Sequence, residues 1–168
     1  QGLQHVHELV VENIDRLDLL NSGDESLKAI PTGIKLLDQC ITGLNRSDLI
    51  LLAARPGMGK TSFALNIMRN VAVQSIKRLA LFSLEMSKAQ LVNRMLCAEA
   101  LVDAQKVRTG ELNSDDWNKL VEGMGRLSEA PIYIDDTPGI TAMEIRAKCR
   151  RLKLEKGLGL IVIDYLQL

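Results

Sequence analysis

Residues 53–63 read AARPGMGKTSF. The apolar run before them, DLILLAA at 48–54, reads as a buried strand over 49–54. The run after the second glycine, KTSFALNIMRNVAV, carries apolar residues at helical spacing and predicts a helix over about 60–74. A strand, a tight glycine turn and a helix N-terminus together form a phosphate cradle. Glycines let backbone N–H groups close around phosphate oxygens, and the helix start adds the positive end of its dipole. The candidate cradle is Ala54, Arg55, Pro56, Gly57, Met58, Gly59, Lys60, Thr61 and Ser62. Residues 54–61 match the pattern G-x-x-x-x-G-K-[ST] at every fixed position but the first, where Ala54 stands for glycine. In such a cradle Lys60 reaches the β- and γ-phosphates and the Thr61 hydroxyl ligates Mg²⁺. The bland alternative is a glycine turn followed by a chance lysine. The strand before it and the helix after it argue against that.

A phosphate site of this kind needs carboxylates from neighbouring strands. LIVIDY at 160–165 puts Asp164 at the C-terminal end of a buried strand, where a carboxylate holds the Mg²⁺ shell. Ligands of open parallel sheets bind at that edge. LALFSLEM at 79–86 puts Glu85 just past another apolar strand, placed to orient and deprotonate an attacking water. The plainer reading of Glu85 is a first-turn glutamate that favours a helix dipole.

Outward from these motifs the chain alternates. It shows a helix near 34–40, a strand at 78–83, and a helix after Ser87 with Gln90 completing a capping box. Asn113 or Ser114 opens a helix to about 128, PIYID at 131–135 is a strand, and Thr141 with Glu144 caps the next helix. LGLIVIDYLQL closes the chain as an apolar strand. Buried strands alternating with helices predict an α/β fold, a mostly parallel sheet covered on both faces. Residues 4–20 carry Val6, Leu9, Val10, Ile14 and Leu17 at helical spacing, and NSGDES at 21–26 reads as a mobile linker. That stripe either folds back on its own domain or docks on a neighbouring subunit.

Length and composition fit one soluble domain: 168 residues, 46% apolar, 25% charged. Net charge is zero, so any nucleic-acid contact must come from a local patch. The basic residues of the helix from 141 (Arg146, Lys148, Arg150, Arg151, Lys153, Lys156) read as a solvated face rather than a DNA contact. Trp117 and Met124 read as core rather than a base-stacking platform. Cys40, Cys97 and Cys149 are scattered and odd in number, which fits core filling in a reducing cytoplasm. HELVV at 7–11 begins like a zinc-protease motif, but Val11 stands where the second histidine must be. His5 and His7, two apart, would face different ways on a helix. No signal peptide opens the chain and no run approaches a membrane span of roughly 18 residues, so a cytoplasmic protein without a membrane partner is expected.

IPTGIKLLDQ, AARPGMGKTSFALNI, LFSLEMS, RMLCAE, IYIDDTPG, EIRAKCRRLK and LIVIDYLQL occur in the order seen in bacterial replicative DNA helicases of the DnaB type. The chain resembles that family over nearly its whole length, and the family often has alanine at the position of Ala54. The resemblance implies a RecA-like P-loop NTPase domain acting on ATP with Mg²⁺. It implies a homohexameric ring moving 5′ to 3′ on single-stranded DNA at the replication fork, with primase and a helicase loader as partners. By the same resemblance residues 1–26 are a linker helix and linker, the helix docking on the adjacent subunit. Residues 27–168 are then the N-terminal part of the ATPase domain. Lys60 and Thr61 match the phosphate and Mg²⁺ residues, Glu85 the catalytic glutamate and Asp164 the Walker B aspartate. The later strands, a γ-phosphate-sensing glutamine, a trans-acting arginine and the DNA loops are expected beyond Leu168, and a primase-binding domain before residue 1. Two other readings compete: another RecA-like ATPase of recombination or repair, and an assembly module that holds nucleotide without turning it over. EIRAKCRRLK and IDYLQL speak against the first. The retained Lys60, Glu85 and Asp164 speak against the second.

Overall fold

A computed structural model describes residues 4–23 and 28–165. Its elements run α1 (Val6–Asn21), α2 (Lys35–Ile41), α3 (Lys60–Gln74), β1 (Leu79–Ser83), α4 (Lys88–Ala100), α5 (Ala104–Thr109), α6 (Ser114–Glu129), β2 (Ile132–Asp135), α7 (Ala142–Glu155) and β3 (Leu160–Asp164). The three strands form a parallel sheet in the order β2-β1-β3. Leu79 stands opposite Ile132 on one side and Leu160 on the other, and Ser83 opposite Asp164.

The apolar run of β1, LALFS, is buried at all five positions because the strand is central and covered on both faces. Its alternate side chains serve two cores. Leu79 and Leu81 pack with Leu65, Met68, Val71 and Ala72 of α3 and with Leu91 and Met95 of α4. Ala80 and Phe82 pack against Cys149, Ile145 and Leu152 of α7. A satellite core joins Leu96 and Ala100 of α4 to Val102 and Leu120.

Local signals set the helix starts. Both hydrogen bonds of each expected capping box form, Ser87 with Gln90 and Thr141 with Glu144. Asn113 forms a third box with Asp116. The short helix α5 lies between an Asp103 cap and Gly110 in the left-handed region. It escapes periodicity because six residues hold too little of a pattern.

The buried Glu99 carboxylate joins three helices. It accepts hydrogen bonds from Arg69 of α3 and, at 2.6 Å, from Arg126 of α6. These guanidinium partners hold Glu99 below the usual carboxylate range, Arg69 contributing most. Ahead of the glycine loop, Thr32 is fully buried and its carbonyl accepts from Asn70 of α3 at 3.1 Å, which ties the PTG turn to that helix.

Three expectations are corrected. Residues 49–54 form no strand, and Leu49 and Leu51 are 85% and 76% exposed. A strand exists through hydrogen bonds to a neighbour, and no strand of the described residues adjoins this run. Trp117 and Met124 are exposed rather than core. The buried face of α6 instead presents Asp116, Leu120 and Gly123, and Gly123 lies close against Ala100 of α4. Cys97 and Cys149 are buried as expected, but Cys40 is exposed.

On α7 the basic residues are all exposed, in keeping with a solvated face. β3, expected as a buried strand, is a further correction: it pairs with β1 alone among the described residues, Ile161 and Ile163 are exposed beside α7, and the end of the expected strand, 166–168, lies outside the described residues. Val6, Leu9, Val10, Ile14 and Leu17 of α1 are all at least 44% exposed, so the stripe does not fold back on its own domain. The linker reading of 21–26 falls partly on residues 24–26, which lie outside the described residues. No described helix is long and apolar enough to cross a membrane.

Candidate active site

The glycine loop joins the 49–54 segment to α3. The Met58 N–H donates to the Arg55 carbonyl at 3.2 Å, closing the turn, and the Phe63 N–H donates to the Gly59 carbonyl at 2.9 Å, opening the helix. Gly57 and Gly59 have φ of 78° and 85°, in the left-handed region that favours glycine. A Cβ at either would meet nothing within 4 Å, so the glycines are needed for the backbone path rather than for room in this chain. Gly59 caps α3 without a side-chain acceptor. The first-turn N–H groups of α3 therefore face outward without a cap, which is what an anion-binding helix start requires.

Parallel register brings the far end of β3 to this loop. Asp164 is buried, and its Oδ2 accepts the Thr61 hydroxyl at 2.9 Å. Its Oδ1 lies 3.6 Å from Lys60 Nζ, and the same ammonium sits 4.5 Å from the centroid of the Tyr165 ring. Lys60, Thr61 and Asp164 thus meet although the loop and the strand end lie far apart in sequence, as the spacing of the motifs predicts. Residues 53–59 and Ser62 are exposed, so the loop lies open to a ligand.

Glu85 stands in the turn between β1 and α4, at the same sheet edge, with its side chain exposed. The turn is held from below. The Leu84 N–H donates to the Asp164 carbonyl at 2.7 Å. Ser83 Oγ donates to the Met86 carbonyl at 2.7 Å and accepts the Met86 N–H at 3.1 Å. Two neighbours escape the sequence reading. Tyr165 carries a signal, since it directly follows the strand-end aspartate. Asp136 is the second aspartate of IYIDDTPG, and nothing in its spacing shows which way it points.

The donor set fits a nucleotide phosphate with a hard divalent cation. A hydroxyl and a buried carboxylate share one point, a lysine ammonium adjoins them, and an uncapped helix start faces them. Among the described residues no group of three or more His, Cys, Asp or Glu could hold a metal by itself. Mg²⁺ is commonly bound by one or two protein oxygens together with phosphate oxygens and water, and Thr61 and Asp164 supply two such oxygens side by side.

Residues 29–168 match the family described as DnaB-like helicase C terminal domain. The chain is 55% identical over 167 residues to the replicative DNA helicase DnaB of Geobacillus stearothermophilus, covering 99% of this chain and 37% of that protein. It is 54% identical to the replicative DNA helicase DnaC of Bacillus subtilis (strain 168), with the same coverage of both. Among solved structures, one described as an ATPase domain superposes with a TM-score of 0.85 at 31% identity, covering 98% of this chain and 58% of that one. A DnaB-like replicative helicase, described together with its interactions with primase, superposes with a TM-score of 0.82 at 31% identity over 98% of this chain and 39% of that one. The chain therefore spans little more than a third of the length of these two curated relatives.

Proposed function

The chain belongs to the DnaB-like helicase C terminal domain family, and from that premise we propose that it is the ATP-hydrolysing module of a replicative DNA helicase. One observation carries the reading: Lys60, Thr61 and Asp164 converge beside an uncapped helix start at the C-terminal edge of a parallel sheet. Residues 27–168 then form the N-terminal part of a RecA-like ATPase domain, with residues 1–26 as its linker helix and linker.

In this reading the first-turn N–H groups of α3 and the residues from Ala54 to Ser62 bind the triphosphate. Lys60 moves from the Asp164 carboxylate, 3.6 Å away, to the β- and γ-phosphate oxygens, a stronger anion. Thr61 and Asp164 hold Mg²⁺, which when bound neutralises charge on the phosphate oxygens. Glu85 accepts a proton from the attacking water. Its exposure at the sheet edge leaves it free to reach that water, while the turn beneath it is fixed by the Leu84 backbone bond to Asp164 and by the Ser83 hydroxyl.

Hydrolysis then drives 5′ to 3′ movement along single-stranded DNA in a homohexamer, in the cytoplasm, with primase and a loader as partners. Assembly through α1 is supported by its exposed stripe. Trp117, Val121 and Met124 give α6 an exposed apolar stripe of its own.

Glu85→Gln in the full-length protein tests the reading. The amide keeps the shape but takes no proton, and a general base is typically worth about 10²–10⁴-fold. ATP binding is expected to stay near normal while turnover and strand displacement are lost. Turnover within a factor of about three of the parent would make Glu85 only a helix-start residue.

A further inference from the structure

The turn that carries Glu85 is also gripped from the β2 side of the sheet. β2 ends at Asp135, and the next residue, Asp136, turns toward α4. Its Oδ2 accepts the Lys88 backbone N–H at 2.9 Å, and its Oδ1 lies 3.1 Å from Lys88 Nζ. Lys88 is the first residue of α4, so its N–H is one of the donors that a helix leaves without an internal partner. Asp135 faces the other way, accepting from Lys148 of α7 at 2.5 Å and from the Thr137 N–H at 2.9 Å. The two consecutive aspartates brace the β2–α7 loop between two helices.

Residues 84–87 lie between β1 and α4. On the β3 side they are tied by the Leu84 N–H to the Asp164 carbonyl. On the β2 side they are tied by Asp136 to Lys88. Because β1 lies between β2 and β3, these two ties pull from opposite flanks of the sheet. The Ser83–Met86 bonds and the Ser87–Gln90 box act within the turn itself.

We propose that Asp136 is a positioning residue that clamps the Glu85 turn from the β2 side and so sets the place of the Glu85 carboxylate over the phosphate site. The proposal rests on the reading of Glu85 as the base. The Lys88 ammonium is half exposed, so its ion pair with Asp136 adds little to stability. The backbone N–H bonded to an ionised carboxylate is the stronger, directional contact. It also helps hold Asp136 below the usual carboxylate range. A directional contact acts through geometry as well as through stability, and a misplacement of about 1 Å can cost about 10²-fold in rate.

Asp136→Ala, Asp136→Asn and Glu85→Gln in the full-length protein, each with amide hydrogen exchange in the nucleotide-free state, test this. For Asp136→Ala, peptides covering the Glu85 turn and the start of α4 are expected to exchange at least tenfold faster, with the rest of the chain unchanged. Its kcat is expected to fall at least tenfold with KM for ATP within about twofold, and its melting temperature to move by no more than about 4 °C. Asp136→Asn, which keeps one oxygen for the Lys88 N–H, is expected to recover part of both changes. An unchanged kcat in Asp136→Ala beside an inactive Glu85→Gln overturns the clamp alone. So does a kcat loss that comes with general loss of protection or a larger melting shift, which would mark Asp136 as a stability residue. An active Glu85→Gln overturns the reading of Glu85, and the clamp's role in catalysis with it.

Discussion

Glu99→Gln perturbs the ion-paired junction of α3, α4 and α6, and its cost follows from the contacts. The Glu99 side chain is 4% exposed, and its two oxygens accept from Arg69 and Arg126. A hydrogen bond to a charged group contributes about 1.5–3 kcal/mol. Glutamine keeps one neutral acceptor and turns a donor toward the other guanidinium, so one bond is lost and the other is weakened. The guanidinium side chains are 40% and 52% exposed and return partly to water, which reduces the loss. A destabilisation of about 2 kcal/mol remains, or a melting shift of roughly 4–8 °C for a domain of this size.

The pH dependence has a defined sign. Glu99 is held below its ordinary value, chiefly by Arg69. Its contribution is therefore present above the unfolded pKa of about 4.3 and is lost as pH falls through the lower folded value. Calorimetry across pH is expected to show the full gap between parent and Glu99→Gln at neutrality, closing under acid conditions. A gap below about 0.5 kcal/mol at neutral pH, within the range of an ordinary surface substitution, or a gap that does not close, would refute the junction as a source of stability.

Two further outcomes follow from particular contacts. Ser87→Ala removes the oxygen that accepts the Gln90 N–H at 3.3 Å and is expected to cost about 1 kcal/mol in denaturant unfolding; no measurable change would mean that water replaces the cap. Leu9→Asp with Ile14→Asp places charge on the exposed stripe of α1. It is expected to impair ring assembly of the full-length protein by mass measurement while leaving domain melting nearly intact, and loss of melting stability with assembly unharmed would place the stripe against its own domain.

Where structure depends on neighbours in sequence, it is legible there. The capping boxes at Ser87 and Thr141 and the positive-φ glycines of the loop are set within a few residues. The meeting of Lys60, Thr61 and Asp164 is legible as well, because strand ends of a parallel sheet share one edge. What depends on a partner is not. Residues 49–54 have the apolar content of a buried strand, yet pairing requires a neighbouring strand that periodicity does not supply. Trp117 and Met124, seven apart and apolar, read inward, whereas Leu120 and Gly123, packed against α4, form the face that is buried. Asp135 and Asp136 look alike in sequence and face different helices, a distinction set by the path of the loop after β2.

The central claim is that the glycine loop is a nucleotide-phosphate site anchored by Lys60. Titration of Mg-ATP into the full-length protein and its Lys60→Ala variant by calorimetry tests it most directly. Removing a charge-assisted phosphate contact of about 1.5–3 kcal/mol is expected to weaken binding at least tenfold, with the fold intact by circular dichroism. An unchanged ATP affinity in the folded variant would contradict the assignment of the site.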